Sequence, residues 1–274
     1  LRSASRGAQA ALIEKFDSVS SGMSGDALST LSDELASVAK LLVAEPILAR
    51  HLAEASGETE AKKQLLQRLL AGKVSDTTLE VLNTAASVRW SLTSDLVDAV
   101  EHIARLSLLT RAERDGQADE VEEQLFRFSR VLDAQPQLTS LLGDYSKPAQ
   151  GRVELVRKVM SQDHGANATA TALLAQTVDL LRGKRADEAV LALAQLAVAR
   201  RGEIVAQVSA ATDLSDAQRS RLDQLLARIY NHPVSVQLNI DPDVLGGLSV
   251  AVGDEVIDGT LSSRLAAAVT KLPD

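Results

Sequence analysis

Leu28, Leu31, Leu35, Val38 and Leu42 are spaced alternately by three and four residues, and the spacing returns 90 positions later at Ala118, Val121, Leu125, Phe128 and Leu132. Steps of three and four put side chains on one face of an α-helix. The offset persists through Pro46 and Pro136, Leu48 and Leu138, Leu52 and Leu142, and Leu65 and Leu155. After a slip of two residues, Val81-Leu82 corresponds to Leu173-Leu174 and Asp95 to Asp187. Amphipathicity alone repeats every few residues and does not keep prolines in phase over such a distance. The pattern predicts the internal duplication of a helical unit.

Each copy reads as about six short helices. Pro46 and Pro136 suit the first turn of a new helix, where a missing N–H costs nothing. Gly57, Gly72, Gly116, Gly143, Gly165 and Gly183 fall at or near the breaks. Residues 95–114 read as one helix that closes the first copy and opens the second. The chain is 45% hydrophobic but only 2% aromatic, so Ala and Leu, both strong helix formers, dominate its cores. The apolar run at 191–199 reads as a buried helix. The expected fold is mainly α with a small α+β C-terminal domain. Tandem six-helix bundles fill 1–94 and 95–202, and a small sheet flanked by helices fills 203–274.

The last segment changes character. Residues 203–211 alternate like a strand, and Ser215 with Gln218 three positions on forms a capping box. The helix it opens carries Leu222, Leu225, Leu226 and Ile229 on one face and stops at Asn231-His232-Pro233. Val234, Val236, Leu238 and Ile240 then alternate with polar residues as a half-buried strand. Gly246-Gly247 permits positive φ before an alternating strand, Leu248-Ser249-Val250-Ala251-Val252. Gly253-Asp254 fits a two-residue hairpin turn, Glu255-Val256-Ile257 returns, and Asp258-Gly259 turns again. Thr260 or Ser262 would cap a helix over 261–269.

These residues carry a resemblance. Asp241, Gly246, Gly247, Gly253, Asp254, Ile257, Asp258, Gly259, Arg264 and Leu265 resemble, in order and spacing, the C-terminal signature of one family. It is the family of the delta subunit of rotary ATP synthases and the mitochondrial oligomycin-sensitivity-conferring protein. Ala251 departs from it, standing where family members often carry a polar residue. The usual delta subunit has one helical bundle ahead of this signature, so by resemblance the second copy is the expected bundle and the first is extra.

The chain offers little for catalysis. Its net charge of −8 gives no electrostatic footprint for nucleic acid, and without cysteine there is no disulfide, thiol catalysis or Cys-based zinc site. No uncharged apolar run nears the roughly 18 residues of a membrane span. Leu1 is no start methionine, so the chain is expected to be part of something longer. His51, His102, His164 and His232 are scattered singly, which fits surface or capping roles better than metal or base chemistry. Asp241, Asp243, Asp254 and Asp258 lack the dense oxygen spacing of a calcium loop, and turn formation explains them better. Gly246-Gly247 and Gly253 are not followed by the Gly-Lys-Ser/Thr of a phosphate loop. Trp90 reads as packing near a helix end or as a partner anchor. From residue 203 onward there are ten acidic and five basic residues, a face either for basic partner segments or simply solvated. No active site and no cofactor emerge.

The resemblance implies a non-catalytic stator subunit. The helical bundle would bind the N-terminal helices of alpha subunits on top of the catalytic head. The C-terminal domain would hold a b-type peripheral stalk, possible fusion to which would explain the start at Leu1. The setting implied is the cytoplasmic face of the plasma membrane. The apolar faces of the matched bundle's first and fifth helices would form the alpha-binding groove, with candidates Ile103, Leu106, Leu173, Leu174 and Val178, although each equally suits a core. The alternative is a generic all-helical adaptor that binds unrelated amphipathic helices.

Overall fold

The computed structural model describes residues 3–54, 58–146, 148–162, 165–200, 204–212, 214–230, 234–240, 246–252 and 255–258. By its internal contacts the chain forms two compact units, Leu1–Ala197 and Val198–Asp274.

The first unit is helical among its described residues. Helices α1 (Ser3–Ser20), α2 (Gly25–Ala44), α3 (Pro46–Ala53), α4 (Thr59–Leu70) and α5 (Asp76–Ser87) precede α6 (Thr93–Arg114). Then come α7 (Ala118–Ala134), α8 (Pro136–Leu142), α9 (Ala149–Ser161), α10 (Ala168–Asp179) and α11 (Ala186–Arg200). Pro46 and Pro136 both open a helix, as the sequence predicts. The starts are capped where an acceptor stands in the right place: Ser24 accepts from Ala27, Ser75 from Thr78, and Asn167 from Thr169 and Ala170. Gly116 ends α6 with φ +68. Its N–H donates to Glu113 O at 3.2 Å, and Gln117 N–H donates to Ala112 O at 2.8 Å, the two bonds of a left-handed helix terminus.

Two apolar cores fill this unit. The first is built from α1–α6, with Phe16, Leu28, Leu31 and Leu35 completely buried. The second joins the C-terminal part of α6 to α7–α11 around Leu125, Leu132, Leu142, Leu173 and Leu174. The expected continuous helix is therefore α6, and it serves both. Leu96, Val100, Ile103 and Leu106 face the first core, while Leu108, Leu109 and Ala112 face the second. A helix covered on several sides shows no single apolar stripe, and α6 carries none. The run at 191–199 differs from expectation in one respect. Within α11, Val190, Leu193, Ala194 and Ala197 are buried, but Leu191 is exposed.

The second unit holds a four-stranded sheet in the order β2-β1-β3-β4, from β1 (Ile204–Ala210), β2 (Val234–Ile240), β3 (Leu248–Val252) and β4 (Glu255–Asp258). Strands β1 and β2 are parallel, and the crossover between them carries α12 (Asp216–Tyr230). Ser215 caps α12 through the expected box, its N–H donating to Gln218 Oε1 at 2.9 Å while Gln218 N–H donates to Ser215 Oγ at 3.3 Å. Val208, Leu226 and Val250 form the buried centre between helix and sheet. Strands β3 and β4 are antiparallel with Val252 opposite Glu255. The turn at Gly253-Asp254 that would join them, and the helix expected over 261–269, lie outside the described residues.

Candidate functional site

Helix α2 runs antiparallel to α6. Arg114 donates to the carbonyls of Met23 and Ser20, Arg111 Nη1 to Ser29 Oγ at 2.6 Å, and Ser32 Oγ to Ala104 O at 2.7 Å. The same helix also reaches α10. Gln176 Nε2 donates to Ser32 Oγ at 3.0 Å, and Lys40 forms an ion pair with Asp179. Leu180, just past α10, belongs to the first core rather than the second. Three helices thus meet along one line, α2 lying over the seam between α6 and α10. Ser32 is fully buried there and Gln176 nearly so.

The five residues expected from sequence to form a groove are placed as follows. Ile103, Leu106, Leu173, Leu174 and Val178 are all buried, none more than 4% exposed. Ile103 and Leu106 belong to the first core; Leu173, Leu174 and Val178 belong to the second. The five do not line one open cleft. An apolar stripe records that a helix face is covered without recording what covers it, and here the chain covers these faces itself.

A second constellation was not among the sites expected from sequence. Arg182 forms ion pairs with Asp98 and, through Nε at 2.7 Å, with Glu101. Lys184 Nζ is 3.3 Å from Asp98, and Arg105 Nη2 donates to Glu101 at 3.3 Å. Burial pushes the Glu101 carboxyl above its usual range, against the pull of Arg105 and Arg182. Arg182 holds this position from left-handed backbone, φ +48, at the end of α10. Beside it Gln9, Asp95, Asp98, Ala99, His102 and Arg105 line a cleft of about 260 Å³. His102 is half-buried, and burial followed by the Arg105 charge lowers its pKa. The signal available was Asp98, Glu101 and Arg105 at helical spacing on one helix.

The remaining candidates are simpler. Trp90 is buried and its Nε1 donates to Ala85 O at 2.7 Å, so it packs at the end of α5. Gly246 and Gly247 have φ +114 and +85, and the adjacent cleft of about 380 Å³ includes Leu222, Leu225 and Leu248. Asp258 ends β4. Asp241, Asp243, Gly253, Asp254, Gly259 and Arg264, like His164 and His232, lie outside the described residues. Among the described residues no three acidic or histidine side chains gather to hold a metal ion, and no helix is long and apolar enough to cross a membrane.

Comparisons with known proteins bear on both units. The family model described as ATP synthase delta (OSCP) subunit matches residues 106–272. Two curated proteins, each called ATP synthase subunit b-delta, come from Mycobacterium sp. (strain KMS) and Mycobacterium sp. (strain JLS). Each is 56% identical to the chain over 274 residues, which is all of it. The chain spans 61% of the length of these relatives. Among solved structures, a chain of the Toxoplasma gondii mitochondrial ATP synthase hexamer is 13% identical with a TM-score of 0.35. It covers 62% of this chain and 96% of its own length, a likeness too slight to carry an argument.

Proposed function

Since the chain belongs to the ATP synthase delta (OSCP) subunit family, we propose that it is the delta part of a peripheral-stalk subunit of a proton-translocating rotary ATP synthase. In this reading it links a b-type stalk to the N-terminal helices of alpha subunits and resists rotor torque during ATP synthesis. It does no chemistry of its own and needs no cofactor. The working division is an extra helical bundle at 1–94, a delta-type bundle at 95–202 and a stalk-binding domain at 203–274, the two bundles sharing α6. The complex would sit at a membrane, with this segment at its cytoplasmic face.

The observation that carries the proposal is the family match, which runs from residue 106 in α6 to residue 272 in the C-terminal unit. The shared helix supports it mechanically, because bending between two cores would have to bend a 22-residue helix buried in both. The β3–β4 pairing supports it against a generic adaptor, which gives no reason for a Gly-Gly pair at positive φ followed by an antiparallel strand pair. Titrating a synthetic N-terminal peptide of the cognate alpha subunit into the chain by calorimetry tests the proposal. Saturable binding is expected. Absence of heat at high micromolar peptide would refute the alpha-binding role.

A further inference from the structure

The two copies of the duplicated unit are not equivalent at their corresponding seams. On α6, Val100, Ala104 and Ser107 lie at the steps of three and four that hold Ala104 and Arg111 against α2, and all three are buried. Subtracting the offset of 90 gives Ala10, Glu14 and Asp17 on α1, which are all exposed. On α10 the residues that hold α2 are Gln176 and Asp179. Subtracting 92, the offset that relates Leu173-Leu174 to Val81-Leu82, gives Thr84 and Ser87 on α5; Thr84 is half-buried and Ser87 exposed. Of the positions corresponding to the face that α2 covers in the second copy, four are exposed in the first and one is half-buried.

The cause is the shared helix. As the last helix of the first copy, α6 must pack along α2. As the first helix of the second copy, it also forms a seam with α10. Both demands are met on adjoining faces, so α2 comes to lie across the seam. The side chains agree with permanent cover. A seam that opens to exchange helices would leave Ser32 and Gln176 in water part of the time. Here Gln176 Nε2 donates to Ser32 Oγ in a dry interior, where separating them costs that hydrogen bond and exposes apolar surface.

Resting on the stator reading above, we propose that α2 is the resident occupant of the seam between α6 and α10 and stays there in the assembled complex. Outside amphipathic helices are excluded from that seam and are held on other faces of the chain. The duplication then adds a built-in ligand for the second copy instead of a second equivalent docking groove.

The Lys40–Asp179 ion pair permits a test with native residues. A zero-length carbodiimide joins an ammonium to a carboxylate in direct contact, and peptide mass spectrometry identifies the linked pair. The cross-link is expected both in the isolated chain and in the assembled ATP synthase, with Lys40→Gln as the control that removes it. The cross-linked chain is expected to bind the alpha N-terminal peptide within twofold of the Lys40→Gln chain treated alike. Failure to form the link in the isolated chain, or its loss by tenfold or more on assembly, would overturn the proposal. So would a tenfold weaker affinity of the linked chain, since the peptide would then need α2 to leave. If neither chain binds the peptide, the alpha-binding role fails, while the cross-link in isolated chain and complex still decides where α2 lies.

Discussion

Replacing Ser32 by alanine tests how the three-helix seam is held. Ser32 is fully buried, and its hydroxyl both donates to Ala104 O and accepts from Gln176 Nε2. In Ser32→Ala the Ala104 carbonyl is a backbone group of α6 and keeps its helical partner. Gln176 Nε2 retains only the Ser32 carbonyl at 3.5 Å, at the edge of bonding distance. Stranding a buried donor costs about 1–3 kcal/mol, and a small residual void adds to it, so about 2 kcal/mol is expected. For a unit of this size that lowers the melting temperature by roughly 4–8 °C. Gln176→Leu should behave differently. It removes the stranded donor and also the Gln176 Oε1, which is buried without a hydrogen-bond partner. Removing both polar groups should leave the double variant within about 1 kcal/mol of the original, because matched removal of partners is nearly neutral. Trp90, the sole tryptophan and buried in the same unit, reports urea unfolding by its fluorescence. The reasoning fails if Ser32→Ala costs less than about 0.5 kcal/mol, or if the two changes add without a coupling of at least about 1 kcal/mol.

Three further outcomes follow from the same geometry. Arg182→Ala leaves the nearly inaccessible Glu101 with Arg105 alone, for an expected loss of about 2–4 kcal/mol. Burial already raises the Glu101 carboxyl, so its charge is the costly form. The Arg182→Ala deficit should therefore be smaller near about pH 5 than near about pH 8, which urea titrations at both values would show. His102 has its pKa lowered, so the fold favours the neutral ring. Stability should be full above the ordinary histidine range and fall as pH drops through it, and His102→Gln should flatten that slope in calorimetric scans. Gly246→Ala forces a Cβ onto φ +114 and should cost about 1–3 kcal/mol, read as faster amide exchange in β1 and β3.

Much of the fold was legible because local chemistry and tertiary structure agree. Prolines in phase open α3 and α8, Ser215 and Gln218 cap α12, and the alternation of 234–240 and 248–252 becomes β2 and β3. These signals act within a few residues, and sequence shows such ranges directly. The groove residues show the limit. Leu173 and Ile103 carry the apolar periodicity that a partner-binding face would carry, but what covers each is set by helices elsewhere in the chain, α1–α5 for Ile103 and chiefly α7, α9 and α11 for Leu173. The ion cluster was hidden for a related reason. Asp98, Glu101 and Arg105 look like a solvated helix face until the turn carrying Arg182 and Lys184 closes on them.

Sharing a helix changes what the duplication expected from sequence would do. Two bundles joined by a linker would each keep a seam and could hinge between them, since interfaces between such units are usually small. With α6 in common, relative motion of the two cores must bend a helix that both enclose, or draw α2 off α10 at Ser32–Gln176 and Lys40–Asp179. The Arg182 pairs with Asp98 and Glu101 oppose the same motion from another side of α6. Hydrogen bonds in a dry seam resist separation cooperatively, whereas exposed ion pairs yield to water. The buried Ser32–Gln176 contact should therefore set the stiffness of the pair more than the partly exposed Lys40–Asp179 contact does. A lattice of this kind removes one potential docking groove and in return makes two cores move as one, which is the mechanical property that the proposed stator role requires.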